Sequence, residues 1–513
     1  MSDQNHIIHK LVLDVDINDE RKAYQIKDHI SGFLEDNFLR SLEKRLDEWG
    51  RVNHVLRFDR LVIDVQVDSW EKSDQLINKI EDQLRQKIQR DYSFGLNVEQ
   101  KLVQPGNAGF DNEENTNETI PYEIESAESR KQIFLAFIET GILPWYGRKE
   151  QIITLLKSAN WKKSLNDKVF VESLIKAISQ NENALHRFIW QVPVPNLLDV
   201  LFTKKVLRTD SKSELLKALK KTSPDFTESL IRFAFNSISK DGKTLEKDIN
   251  ELFYNYKKDS YPSQKTSKNG FLNWMQSHFS EVPIQEIEKY LNEEKKESLF
   301  NKQNLIVKPE RGHFETKTEK FLENNPTIIS GNNFRSVREK ESLRQNESQE
   351  WSIQNAGQIL FHPFLKFFFQ RFDWLNEHDL LLPEHKMKAV QALHYSVTGT
   401  TDFFEADMIL EKFLCGIPFE EPVRSESLLS GKIKREATFM VKEVIRNWPE
   451  LKSTSPAGLR ELFIQRDGKL FKSDSGYQLI VERKTQDILL EKLSWNISII
   501  KMPWQKELLF VEW

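Results

Sequence analysis

The sequence predicts an α+β protein that is predominantly α-helical, with small strand-containing parts near both ends. Strands and amphipathic helices alternate in the first hundred residues, helical spacing of apolar residues fills the middle, and a hairpin signal follows several helices near the end. A chain of 513 residues is long enough for about three domains of roughly 100–200 residues each. We therefore expect three folded blocks connected by polar segments.

The first block, residues 1–103, has the predicted order strand–helix–strand–helix. Apolar and polar residues nearly alternate over 9–16 and again over 61–67, which is the period of a strand with one buried face. Over 23–49 and 76–88 the apolar residues recur at steps of three and four, which predicts two amphipathic helices. We expect a small mixed unit that is too small for a large catalytic cleft.

Residues 104–121 contain almost nothing that could be buried, so we interpret them as a linker. From residue 122 to residue 300 the apolar residues return to helical spacing. Prolines divide this middle region into short helices, because an internal proline removes a hydrogen-bond donor and clashes with the preceding turn. These prolines are Pro144, Pro193, Pro195 and Pro262. Residues 301–350, rich in Glu, Lys, Asn and Ser, are predicted to be a second linker or a mobile insertion.

The third block, residues 351–513, is predicted to be a helical domain with a small terminal sheet. A largely apolar run over 356–369 precedes three predicted helices, at 386–397, 405–414 and 434–447.

Near the end of this block the sequence predicts one more helix and a hairpin. Ser455 and Pro456 have the pattern of a helix start, and Gly468 is expected to end that helix. The turn-forming residues 474–476 separate two strand-like pieces, which is a hairpin signal. Residues 495–500 and 508–513 are also strand-like.

The composition argues against several classes of protein. The 74 Lys and Arg nearly balance the 78 Asp and Glu, and the net charge of −4 disfavours a dedicated nucleic-acid binder or a polybasic membrane-surface protein. One Cys cannot form an intramolecular disulfide, which is typical of a reducing compartment. The first residues lack a secretory signal pattern, and no apolar stretch approaches the ~20 residues that cross a bilayer. We expect a cytoplasmic protein that binds neither nucleic acid nor membrane.

The chain matches no catalytic template well. Gly431 and Lys432 lack the upstream glycine of a phosphate-binding loop. Cys415 could be a nucleophile with His394 or His362 as its base, but a lone Cys at the apolar end of a helix is more often a small buried hydrophobe. We therefore expect no catalytic residue.

Four carboxylates could form a metal site in the first block. Asp14, Asp16, Asp59 and Asp64 lie on or beside predicted strands, although solvated strand faces are the more common reason for such a pattern. We expect neither a metal ion nor another cofactor.

Tryptophans near the end of the chain allow two interpretations. Trp448, Trp495, Trp504 and Trp513 could line a groove for a partner or fill the core of their own domain. We expect Trp448 in the core, and Trp513 stays open between the two.

Short motifs follow one another in a fixed order through the third block. They are Asn355-Ala356-Gly357, Phe361-His362-Pro363-Phe364-Leu365, His394-Tyr395 to Gly399, Glu405 to Pro418, Asn447-Trp448, Leu451 to Leu470, Pro503-Trp504 and Val511-Glu512-Trp513. In this order they resemble the tape measure proteins of extracellular, phage-tail-like contractile injection systems. Residues 137–146 resemble the middle motif of that family, and 6–8 and 58–64 resemble its N-terminal strands, so the resemblance spans all three blocks.

The resemblance implies packing or partner contacts for a set of motif residues. They are Asn355, Gly357, Pro363, Gly399, Glu405, Cys415, Gly416, Trp448, Ser455, Arg460, Gln465, Arg466, Gly468, Trp504 and Trp513. Gln66, Gln358 and Ser494 depart from the family's usual residues, which affects local packing and removes no chemical group.

The resemblance also implies a non-enzymatic role in assembly. A tape measure protein would lie in the lumen of the inner tube and limit the length of tube and sheath, while baseplate or spike proteins hold one end. At ~1.5 Å per residue a fully helical chain of this length would span at most about 770 Å. The capped and proline-interrupted helices predict folded parts rather than one rod. An assembly adaptor or chaperone that docks baseplate or cargo proteins is the alternative.

Overall fold

The computed structural model describes the middle and the end of the chain almost continuously and the first block in pieces. The described residues are 6–8, 11–13, 15, 30, 32–49, 54–57, 61–66, 73–95, 122–207, 212–239, 242–258, 268–279, 287, 291, 350–451, 453–473 and 476–513. The predicted linker 104–121 and residues 301–349 of the second one lie outside them. Asp14, Asp16 and Asp59 of the conceivable metal site lie outside them as well.

The chain divides into two compact units. The smaller consists of Met1–Ala136 and Leu143–Asn160, and the larger of Phe137–Ile142 and Trp161–Trp513. The boundaries of the three blocks inferred from the sequence stay predictions.

Two helices build one hydrophobic core in the smaller unit, as the apolar spacing predicts. One π-helical turn, Phe33–Phe38, leads into α1 (Leu39–Trp49), and α2 spans Ser73–Gly95. The apolar stripes of the helices meet in a small core of Phe33, Phe38, Leu42, Leu76, Ile77 and Leu84.

The strand predicted over 61–67 is wrong for the described residues 61–66, which lie in no strand. The side chains of Ile63 and Val65 pack on this core, and no strand of the described residues pairs with the segment. The side chains of Lys79 and Gln83 on α2 donate hydrogen bonds to the carbonyl oxygens of Gln66 and Asp64, at 2.7 and 2.6 Å. Because α2 supplies hydrogen bonds to the backbone of this segment, the alternating apolar side chains can be buried without a sheet.

The strands of this unit pair elsewhere. β1 (His54–Arg57) runs antiparallel to β2 (Tyr122–Glu125), with Val55 opposite Ile124. Residues 11–13 and 15, which belong to the other predicted strand, are also outside any strand. The sequence did not reveal β1 and β2, because four residues are too few for a period-two signal.

The middle of the chain is a series of short helices, as predicted. They are α3 (Ser126–Thr140), α4 (Lys149–Leu156), α5 (Ser158–Leu165), α6 (Lys168–Gln180), α7 (Glu182–Gln191), α8 (Val194–Thr203), α9 (Lys212–Leu219), α10 (Pro224–Ser239), α11 (Gly242–Lys258) and α12 (Lys268–His278). The side chains of Asp167 and Asn181 accept hydrogen bonds from the first backbone N–H groups of α6 and α7. Pro195 lies in the first turn of α8, where its missing N–H needs no partner.

Helices also dominate the third block. The α-helices are α13 (His362–Gln370), α14 (Pro383–Thr398), α15 (Ile409–Leu414), α16 (Gly431–Asn447) and α17 (Pro456–Leu459), which continues as a π turn, Arg460–Ile464. The 3-10 turns are Ala356–Phe361, Glu405–Met408, Pro449–Leu451 and Thr485–Lys492. The three helices predicted at 386–397, 405–414 and 434–447 are confirmed. The predominantly helical α+β class is confirmed with them.

The described residues of the third block also form a five-stranded mixed sheet. Its strands are β3 (Glu350–Ile353), β4 (Gly468–Ser473), β5 (Gly476–Val481), β6 (Ile499–Ile500) and β7 (Leu509–Glu512). The order is β3-β4-β5-β7-β6, and β5 and β7 are parallel while the other pairs are antiparallel. The predicted hairpin is therefore confirmed as β4–β5. Leu470 and Leu479 lie opposite each other and are fully buried, so this face of the sheet packs on the helices.

Gly468 does not end a helix, contrary to the prediction. The helix that begins after Ser455 ends at Ile464, and Gly468 is the first residue of β4. A Cβ atom at Gly468 would lie 2.6 Å from the Cβ of Ala356 and 2.6 Å from the carbonyl oxygen of Ile480. The glycine thus allows the 3-10 turn at Ala356 and the strand β5 to approach β4 closely, and it does not end a helix.

Candidate functional site

Three charged side chains meet in the interior of the larger unit. Arg187 on α7, Glu405 at the start of a 3-10 turn and Lys412 on α15 are all buried. Oε1 of Glu405 accepts hydrogen bonds from Nε of Arg187 at 3.0 Å and from Nζ of Lys412 at 2.8 Å. We call these three residues the buried ionic cluster, and it links α7 to two consecutive elements that lie 218 residues or more further along the chain.

The remaining polar atoms of the buried ionic cluster also have partners. Arg187 donates to the carbonyl oxygens of Ile138 and Glu420, both at 2.6 Å. Lys412 donates to the carbonyl oxygen of Phe419 at 2.8 Å, and burial lowers the pKa of its ammonium group. Buried charges destabilise a fold unless they are paired and hydrogen-bonded, and here they are both.

A glycine from the middle motif, residues 137–146, makes room for this cluster. Gly141 has a φ of +78°, and its N–H donates to the carbonyl oxygen of Phe137 at 2.7 Å. A Cβ atom at this position would lie 2.3 Å from Oε1 of Glu405 and 2.8 Å from Nη2 of Arg187. Only glycine satisfies both the backbone conformation and the space.

Three of the predicted motif residues complete the end of α14. Gly399 has a φ of +75° and donates its N–H to the carbonyl oxygen of Tyr395 at 2.8 Å. Arg460 Nε donates to the carbonyl oxygen of Ser396 at 2.8 Å, and Gln465 Nε2 donates to that of Val397 at 3.2 Å. The last carbonyl groups of a helix have no partner within it, so these side chains fix where α14 ends.

Gly357 lets a 3-10 turn pack directly against the backbone of a neighbouring turn. A Cβ atom at Gly357 would lie 1.7 Å from the carbonyl oxygen of Phe463. Beside it, the N–H of Ala356 donates to the carbonyl oxygen of Arg466 at 2.8 Å. The two motifs that contain Gly357 and Arg466 are therefore in direct contact.

Arg466 and Trp513 meet at a carboxylate that the sequence did not single out. Nη2 of Arg466 lies 2.9 Å from Oδ1 of Asp487, and Nε1 of Trp513 donates to Oδ2 of Asp487 at 3.1 Å. Trp513 also lines an open pocket of about 360 Å³. Trp513 packs on the core, and its contact with a partner stays a prediction.

Cys415, Gly416 and Trp504 form another group of motif residues. Cys415 is fully buried, and burial strongly raises the pKa of its thiol, so the nucleophilic thiolate is disfavoured. Its conceivable base His394 contacts Glu411 instead, with Nδ1 and Oε1 2.8 Å apart. Trp504 Nε1 donates to the carbonyl oxygen of Leu414 at 2.7 Å, so the tryptophan covers the end of α15.

The other motif residues occupy structural positions. Ser455 accepts a hydrogen bond from the N–H of Gly458 and is the predicted N-cap, and Pro363 lies in the first turn of α13. Trp448 is fully buried, as expected, and Asn355 is buried before the 3-10 turn.

The described residues contain no cluster of side chains arranged as a metal site. Within these ranges no three His, Cys, Asp or Glu side chains are placed to hold a metal ion. No described helix is both long enough and apolar enough to span a membrane.

Sequence reasoning missed several residues that hold this framework together. Arg187, Lys412, Asp487 and Gln391 are all buried and polar. Gln391 donates to the carbonyl oxygens of Arg424 and Glu426 and accepts from the N–H of Leu428. Arg187 stands between Leu185 and Phe188 in an apolar stretch, and a charge in that position was the available signal.

Comparisons with known proteins identify one family. Residues 5–513 match the sequence profile of the family described as contractile injection system tape measure protein. Neither the curated proteins nor the solved structures contain a match to the chain. The match covers nearly the whole chain, including all of the motif residues described above. This protein belongs to the contractile injection system tape measure protein family.

Proposed function

We propose that the protein is a non-enzymatic structural component of a contractile injection particle, and that it contributes to setting the length of the inner tube and sheath. Family membership over residues 5–513 supports both the place of this protein in such a particle and its role in setting the length. Its partners would be the inner tube, baseplate or spike proteins.

The buried ionic cluster is the observation that bears most on how this role is carried out. Opening the larger unit would expose Arg187, Glu405 and Lys412 and would break the contacts of α7 with the segment after Phe403. Removing one member of a buried, hydrogen-bonded charge group typically costs about 3–5 kcal/mol. We infer that the larger unit works as a folded body and is not drawn out into an extended tape.

The experiment is deletion of the gene in its native operon, followed by complementation and electron microscopy of purified particles. We expect particles of uniform length to be lost and the full chain to restore them, with the protein present in the particles. Particles of normal number and length without the protein would contradict the proposal.

Two variants test whether the folded unit matters. Glu405→Gln removes the central carboxylate of the buried ionic cluster, and Glu482→Gln removes one from an exposed ion pair with Lys484. We expect full restoration by Glu482→Gln and poor restoration by Glu405→Gln. A stable complex with a baseplate or cargo protein outside the particle, with none of the chain inside it, would instead support the adaptor.

A further inference from the structure

The exposed face of α16 carries a regular line of cations with an aromatic residue at its centre. Lys432, Arg435, Phe439, Lys442 and Arg446 are all exposed and follow one another at steps of three and four residues. Residues at these steps lie on one face of a helix. We call these five residues the basic stripe.

Two carboxylates beside the basic stripe offset only part of the positive charge of this surface. Glu436 forms an ion pair with Arg371, the residue that follows α13, and Glu443 lies 3.6 Å from Arg446 of the stripe. Arg435 and Lys442 have no ion pair with the described residues. This face is therefore locally positive in a chain whose net charge is −4.

Two phenylalanine rings project from the same surface. Phe439 is 45% exposed, and Phe367 on α13 is 68% exposed. The guanidinium of Arg371 lies 5.4 Å from the centre of the Phe439 ring. Arg371 follows the last residue of α13 and lies one helical turn after Phe367, so both residues are on the side of this helix that borders the basic stripe. Exposed apolar groups rimmed by charges are typical of a contact surface for another protein.

We propose that the basic stripe, together with Phe367 and Arg371, docks an acidic amphipathic segment of another protein of the injection particle. Carboxylates of that segment would face Arg435 and Lys442, and an apolar side chain would pack on Phe439. The placement in a particle depends on the proposed function, whereas the chemistry of the surface does not.

The arrangement favours a protein segment over nucleic acid. Glu436 and Glu443 lie between the cations, so a continuous run of phosphates would have to pass both of them, whereas carboxylates at helical spacing can face the cations alone. An amphipathic helix, in contrast, presents acidic and apolar side chains at the same steps of three and four residues as the basic stripe. The complementary charges would steer association, and the buried ring would anchor it.

Photo-crosslinking identifies the occupant directly. The probe is p-benzoylphenylalanine in place of Phe439 in the full chain, irradiated in assembling cells, with the same probe at the exposed Val169 as the matched control. We expect an adduct at position 439, and not at 169, with an acidic segment of a tube, baseplate or spike protein. An adduct with a second copy of this chain or with nucleic acid, or none above the control, would overturn the proposal.

Charge reversal then measures the contribution of the cations. The probe is a synthetic peptide that covers the crosslinked segment, titrated against the purified full chain. We expect Arg435→Glu with Lys442→Glu to weaken binding at least about tenfold, and salt to weaken the wild-type complex. Lys162→Glu with Lys163→Glu, on the exposed face of α5, should leave affinity unchanged. Equal affinity of all three proteins would overturn the proposal.

Failure of the proposed function and failure of the proposed docking surface give different results. If deletion of the gene leaves particles normal but the peptide still binds in a charge-dependent way, the proposed function fails and the docking surface stands. If deletion abolishes uniform particles but the charge reversal binds the peptide normally, the docking surface fails alone.

Discussion

Glu405 holds two cations that are withdrawn from water. Its carboxylate contacts both Arg187 and Lys412, and its second oxygen accepts from the N–H of Val423 at 3.2 Å. A neutral side chain in its place would leave both cations buried without a counter-charge.

Glu405→Gln should therefore lower the free energy of unfolding by about 3–5 kcal/mol. The measurement is urea unfolding followed by tryptophan fluorescence. Glu482→Gln, which removes an exposed ion pair with Lys484, should change it by only about 0–1 kcal/mol and serves as the control. Similar small losses for the two variants would show that the cluster does not hold the unit together.

Gln358 gives the opposite prediction. Its side-chain amide is buried and has no hydrogen-bond partner among the described residues. A buried, unsatisfied polar group costs about 1–3 kcal/mol, so Gln358→Met should raise the free energy of unfolding by a similar amount. Gln478→Met at an exposed position of β5 should have little effect. A less stable Gln358→Met protein would refute this explanation of the departure from the family's apolar residue.

Stability should fall in mild acid because of His186. Its ring stacks on Trp190 with centroids 5.1 Å apart, and burial lowers its pKa below the ordinary 6.5. The unfolded chain therefore binds this proton more readily, so the stabilisation is complete above about pH 6.5 and is lost as the pH falls below it. Burial also lowers the pKa of His362, so this residue should add to the loss of stability in acid.

Urea unfolding at about pH 7.5 and about pH 5.5 measures this effect. His186→Phe keeps the stacked ring but cannot titrate, so it should lose less stability between the two values than the wild type does. Part of the dependence should remain, because His362 is unchanged. An identical loss in both proteins would exclude His186 as a cause.

At the scale of elements, the strands of the terminal sheet depend on one carboxylate. Asp487 contacts Arg466, two residues before β4, and Trp513, one residue after β7. Its Oδ2 also accepts from the N–H of Lys484 at 2.7 Å. One side chain thus joins the start of one strand, the end of another and the 3-10 turn Thr485–Lys492.

Asp487→Ala should cost about 3–5 kcal/mol, because Arg466 would stay buried without its partner. Hydrogen exchange should report faster opening of β7 in particular. Glu482→Ala removes only an exposed ion pair with Lys484 and should leave exchange in β7 unchanged. Equal protection of β7 in both variants would show that Asp487 does not anchor the strand.

Local signals in the sequence predicted elements well and long-range contacts poorly. Ser455 was recognisable as an N-cap, because its hydrogen bond is made within three residues. Gly468 was misjudged, because the reason for a glycine is its contact with Ala356 and Ile480 from other elements. The C-terminal end of α14 depends on Arg460 and Gln465 in the same way, and no local pattern reveals such partners.

At the scale of the whole molecule, the described residues of the larger unit are folded, whereas a simple ruler would be extended. Among the described residues, Ile287 is the last buried residue before segment 301–349, and Glu350 is the first strand residue after it. Both belong to the larger unit. If this unit stays folded, the segment can extend only as a loop that leaves it and returns. Each added residue would then lengthen it by at most about half of the 1.5 Å helical rise.

Particle length as a function of inserted residues tests this folded-body mechanism most directly. Helical insertions of increasing size would be placed within 301–349 in the native operon, and sheath length would be measured by electron microscopy. We expect a slope between zero and about 0.75 Å per residue, because both ends of the segment are held by one folded unit. A constant slope of about 1.5 Å per residue would contradict it and show that the chain is drawn out as a tape.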